Sequence, residues 1–113
     1  MESTKFTNLE ANEDTHVNGL TLSVSEIETA VSVSLTAAQL LSTVLLVEAT
    51  AGSKVLTLGA ADGKAFIIKN VGATNTFSVK NQAADAGTSL TSGSGAIFIC
   101  STTTDASTVL SFA

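Results

Sequence analysis

LTLGAADGKAFIIKNVGATNTFSVKN, residues 56–81, decides the fold class. Within it Phe66-Ile67-Ile68-Lys69-Asn70 recurs eleven residues later as Phe77-Ser78-Val79-Lys80-Asn81, and both copies fit F-x-(I/V)-K-N. Successive side chains of a strand point to opposite faces, so in each copy the Phe and the residue two places on share one face while the Lys takes the other. This predicts two neighbouring strands that pack alike. A true repeat array would need more copies than the chain holds. Ahead of the first copy stands Asp62-Gly63, a tight-turn dipeptide because glycine accepts positive φ without steric cost, and it predicts a strand boundary.

Outward from this stretch, the same reasoning predicts strands over residues 43–48, 54–58, 64–71, 75–80, 95–101 and 108–112, separated by segments rich in Gly, Ala, Asp, Asn, Ser and Thr. Residues 29–35 alternate cleanly, with Val31, Val33 and Leu35 on one face and Ala30, Ser32 and Ser34 on the other, which predicts a half-buried strand. Thr36 stands ahead of Ala37, Ala38, Gln39 and Leu40, good helix formers behind a capping residue, so one or two helical turns are expected there. Short strands joined by short turns indicate an all-β fold, expected as a compact β-sandwich or barrel-like, jelly-roll-like domain over residues 20–113. Residues 1–19, carrying Glu10, Glu13 and Asp14, are read as an extended N-terminal arm.

Composition agrees with strands. Of 113 residues 44% are hydrophobic and only 13% charged, about half the usual share of charge, and the polar remainder is mostly Ser and Thr. Thr and Val suit a pleated backbone, whereas the Lys and Glu of solvent-facing helices are scarce. One domain of this size buries roughly 65% of its extended-chain surface, so subunit contacts would be a natural supplement. A net charge of -5, a pI near 4.5 and five scattered Lys with no Arg argue against a nucleic-acid partner. With no Trp and no Tyr, binding through aromatic platforms is not expected either. The first nineteen residues show no signal-peptide pattern, and apolar runs such as residues 44–47 are far too short for a membrane helix. The chain is therefore expected to be soluble and made in the cytoplasm, with no membrane partner.

The search for chemistry is mostly negative. Gly59-Ala60-Ala61-Asp62-Gly63-Lys64-Ala65 glances at a phosphate loop. It has one intervening residue too few, ends in Ala where the magnesium-binding hydroxyl belongs, and leads into a predicted strand. His16 is the sole histidine, so a His-based metal cluster or a Ser/His/Asp triad would need copies from several subunits. Glu26 and Glu28, the closest acidic pair near a strand, are read as facing water together. Cys100 cannot form an internal disulfide and sits in the apolar run Ile97-Phe98-Ile99-Cys100, where a small buried hydrophobe is expected. No cofactor, no metal and no enzymatic activity are expected. Residues 44–47, 55–58 and 97–100 are apolar on both faces, more than one sheet face absorbs, which predicts a homo-oligomer.

The stretch 56–81 also resembles the strand-turn-strand module of bacteriophage head fibre, capsid decoration and tail fibre proteins. The shared pattern is an L-T-L strand, a small-residue Gly-Lys turn, an aromatic-x-I-K-N-x-G strand and a further strand. SLTAAQLLSTVLLV, residues 34–47, is similar to the helical turn and strand ahead of that module in phage head decoration proteins. The likeness covers less than half of the chain, carries no catalytic signature, and departs at Ala60-Ala61-Asp62.

The resemblance implies a structural virion protein of the capsid decoration kind. It would be made in the host cytoplasm and seated, often as a homotrimer, on the outer surface of a phage shell. Its partners would be copies of itself and the major capsid protein. A protein that binds only the assembled shell stabilises it by mass action, and a symmetric oligomer multiplies weak contacts. On this reading the oligomer seam is expected at Val44, Leu46, Leu56, Leu58, Phe98, Leu110 and Phe112, and capsid contact at Phe6 and Leu9 of the arm. The alternative is a tail or head fibre adhesion module that binds host-surface glycan or protein through loops such as residues 81–91.

Overall fold

The computed structural model describes residues 21–103 and the backbone of residues 108–112. In chain order its elements are β1 (Val24–Thr29), β2 (Val33–Ser34), α1 (Ala37–Leu40), β3 (Val44–Ala49), β4 (Lys54–Thr57), β5 (Ala65–Asn70), β6 (Phe77–Lys80), β7 (Thr88–Leu90), β8 (Gly95–Ile99) and β9 (Thr108–Phe112). The fold is all-β with one short helical turn. Thr36 caps that turn as expected: the Gln39 amide donates to Thr36 Oγ1 at 3.2 Å, and the Thr36 amide donates to Gln39 Oε1 at 2.9 Å, a reciprocal capping box.

The strands form two mixed sheets, ordered β1-β3-β5-β8-β9 and β2-β4-β6-β7. From β1 to β6 the chain crosses from one sheet to the other at every strand. Neighbours within a sheet are therefore parallel: β1 with β3, β3 with β5, β2 with β4, and β4 with β6. Val24 stands beside Val44 and Val44 beside Ile67, while Val33 stands beside Leu56 and Leu56 beside Val79. One coil thus takes 20 residues at its first repeat in the larger sheet and 23 at each of the others. Only β7, β8 and β9 pair antiparallel.

This corrects the barrel-like expectation, because neither sheet closes on itself. Three two-strand coils are stacked, the number at which such stacking becomes stable. The two F-x-(I/V)-K-N copies do pack alike, but in different sheets. Phe66 and Ile68 of β5 and Phe77 and Val79 of β6 belong to one buried apolar cluster with Leu45, Val47, Leu56, Leu58, Leu90, Ala96 and Phe98.

The Asn that ends each copy is what turns the coil. It shares the inward face with the Phe, and both Asn70 and Asn81 are buried. Asn70 Nδ2 donates to the Asn75 and Leu90 carbonyls at 2.8 and 2.9 Å, and its Oδ1 accepts from the Gly72 amide at 2.9 Å. Asn81 Nδ2 donates to the Ser101 and Ala60 carbonyls at 2.6 and 3.1 Å, and its Oδ1 accepts from the Ala60 amide at 2.8 Å. Each amide thereby bonds backbone groups in the segments between strands, and Asn70 adds the carbonyl at the end of β7. Gly72 fits beneath Asn70 for want of a side chain: a Cβ there would lie 3.2 Å from Asn70 Oδ1 and from Glu48 Cγ.

Residues 29–35 are not one strand. Thr29 Oγ1 accepts from the Val31 amide at 3.1 Å and donates to the Val31 carbonyl at 2.8 Å, folding a bend that carries the chain from β1 into β2. Asp62-Gly63 does mark a boundary, with Gly63 at φ +85°, although it links strands of different sheets. The arm at residues 1–19, including His16, lies outside the described residues.

Candidate assembly face

Burial of Leu45, Val47, Phe66, Ile68, Ala96 and Phe98 fixes the parity of the larger sheet. Their neighbours in the chain must then point outward. Val24, Val44, Ile67 and Ile97 stand at one level across four adjacent strands, a continuous apolar row. At the usual strand spacing it spans about 14 Å. Below it lie Glu26, Leu46 and Lys69, and Ile99 stands opposite Ala65 on the other side. Val24, Val71 and Ile99 are 52%, 48% and 42% exposed, and Val44, Leu46, Ile67 and Ile97 are half-buried.

The expected seam residues divide. Val44 and Leu46 are on this outward face. Leu56 and Leu58 are instead 2% and 1% exposed in the core beneath the smaller sheet, and Phe98 is fully buried, so these three are corrected from seam to core. In residues 55–58 and 97–100 both parities carry apolar side chains, and the pattern alone does not say which set turns inward. The backbone of Leu110 pairs with Ile97 and that of Phe112 with Gly95, while their side chains, like Phe6 and Leu9, lie outside the described residues. The outward face also carries Val24, Ile67, Val71, Ile97 and Ile99, which the expected seam did not include. Ile67 was legible in principle, since Phe66 and Ile68 flank it.

Residues 59–64 form a loop leading into β5. Asp62 Oδ1 accepts from the Thr102 amide at 2.6 Å and from its hydroxyl at 3.0 Å. These bonds, the backbone one foremost, hold its carboxyl below the ordinary value. Asp85 is buried and takes the amides of Asn81 and Gln82 on Oδ2, each at 3.0 Å, which orders the turn after β6. Glu26 and Glu28 are both exposed on the outward face, as expected. With Glu48, Ile27, Leu46 and Val71 they line a shallow depression of about 290 Å³. Among the described residues no group of three or more His, Cys, Asp and Glu side chains is placed to hold a metal ion.

Cys100 is buried, and burial pushes its thiol up to about 11. Labelling by iodoacetamide at pH 8 is expected to be at least ~100-fold slower in the folded chain than after denaturation, since both access and thiolate fraction fall. Equal rates would contradict the burial. Because folding favours the neutral thiol, its contribution to stability is present below about pH 8.5, the free thiol's range, and is lost as pH rises through about 11.

The chain matches no protein-family model, no curated protein and no solved structure.

Proposed function

We propose that this protein is a structural building block that assembles with copies of itself through the outward face of its larger sheet and decorates the outer surface of a phage shell. The observation that carries the assembly reading is the row Val24, Val44, Ile67 and Ile97, apolar side chains facing out on four neighbouring strands. Outward faces of half-covered sheets are ordinarily polar, and contiguous apolar patches mark contact sites. The decoration reading adds the sequence resemblance of residues 34–47 and 56–81. A homotrimer on the shell, in contact with the major capsid protein, stabilises it through contacts made only with the assembled form. No chemical step is required.

Incubation with undecorated shells tests this directly. Saturable binding on the order of hundreds of copies per particle is expected, with a rise in the temperature at which shells dissociate. Roughly a dozen copies or fewer would point to a vertex or tail component. Binding to host cells with none to shells would replace decoration by the adhesion module.

A further inference from the structure

Among the described residues β1 is the outermost strand of the larger sheet, bonded on one side only, to β3. In a parallel ladder alternate residues direct both backbone groups to one neighbour. The Val44 amide donates to the Ser23 carbonyl and the Thr50 amide to the Thr29 carbonyl, so Ser25, Ile27 and Thr29 face β3. The N–H and C=O groups of Val24, Glu26 and Glu28 therefore point off the edge. Such a row is a template for one more strand.

Side chains beside this edge restrict what can dock. Glu26 and Glu28 are exposed on its outward face, and Glu48 stands next to Glu28 in register. These carboxylates surround Leu46 and Val71 in the shallow depression, and no ion pair answers them among the described residues. A second copy docking its own β1 across a two-fold axis would set Glu26 and Glu28 against themselves. Like charges directly opposite are destabilising, and a net charge of -5 per chain adds to the repulsion. A strand with Lys or Arg at alternate positions does the reverse, since each cation meets a carboxylate of β1.

We infer that the open edge of β1 receives an extended, Lys- or Arg-bearing segment of another protein by strand addition. Backbone pairing with Val24, Glu26 and Glu28 supplies the bonds, and the glutamates that oppose pairing of one β1 edge with another select the basic partner. The inference is separable from the assembly-face reading, because it rests on the backbone edge of β1 and not on the side-chain row Val24, Val44, Ile67 and Ile97.

Amide exchange in the full chain tests it, with two synthetic probes: the peptide Thr-Lys-Val-Lys-Val-Lys-Thr and its counterpart with Glu in place of each Lys. In the chain alone the Glu26 and Glu28 amides are expected to exchange fast, while those of Ser25 and Ile27 are protected. The Lys peptide at millimolar concentration should slow Glu26 and Glu28 by ~10-fold or more and the Glu peptide should not. In a variant with Glu26→Lys and Glu28→Lys, both exposed positions, the preference should reverse. Protection of Glu26 and Glu28 before any peptide is added would mean that the chain covers its own edge, and would overturn the inference. So would equal protection by both peptides, or protection by neither.

Discussion

Asn81→Ala is expected to lower the unfolding free energy by about 3–5 kcal/mol. The side chain is buried and makes three hydrogen bonds, all to backbone: two with Ala60 and one with Ser101. Truncation removes all three and leaves the buried amide and carbonyl of Ala60 and the part-buried carbonyl of Ser101 without these partners. Each lost bond contributes about 1 kcal/mol, and each stranded buried group adds a desolvation cost of about 1–3 kcal/mol, partly relieved by relaxation. Asn70→Ala, which strands the Gly72 amide and the Asn75 and Leu90 carbonyls, should cost a similar amount. Urea unfolding measures both, and an unchanged m value would assign the loss to the folded state. A loss below about 1 kcal/mol for both would show that the coil corners hold without their asparagines.

The second large effect separates assembly from folding. Val44→Asp combined with Ile67→Asp is expected to weaken self-association more than ~100-fold. Two carboxylates would be carried into an apolar contact without partners, at several kcal/mol. Because Val44 and Ile67 point outward from the subunit, the variant is expected to stay folded, at a cost of about 2 kcal/mol from placing two carboxylates side by side on β3 and β5. Phe98→Ala should behave in the opposite way. Phe98 is fully buried among the core residues, so its loss costs about 3–5 kcal/mol of folding stability and leaves the assembly face as it is. If Phe98→Ala dissociated the oligomer with no loss of subunit stability, the division between core and face drawn here would be reversed.

The strands were legible where period-two alternation meets turn residues, as in β5 and β6, and α1 was legible from Thr36 and its capping partner Gln39. β1 escaped because its inward-facing set, Ser25, Ile27 and Thr29, holds a single apolar residue, and the bend at Thr29 is made by a hydroxyl rather than by Gly or Pro. β7 escaped because three residues, Thr88–Leu90, are too few to show a period. Which strands pair was the larger loss. A sandwich hairpin and a coil that crosses between sheets give the same spacing of short strands. Only the 23-residue offset that sets Val33, Leu56 and Val79 in line tells them apart, and three apolar residues are a faint signal. The F-x-(I/V)-K-N echo was visible, but the part its Asn plays was not, since polar residues at strand ends ordinarily suggest solvent. That some strands were apolar on two sides could be read directly. Deciding the outer side required knowing which Phe residues lie in the core.

Sedimentation velocity of the full chain across micromolar concentrations tests the central claim most directly. The account predicts a species at a multiple of the 11.4 kDa chain mass, three-fold if the trimer reading holds, and 11.4 kDa for the variant with Asp at positions 44 and 67. A wild-type chain that stays at 11.4 kDa up to the highest concentration would contradict it.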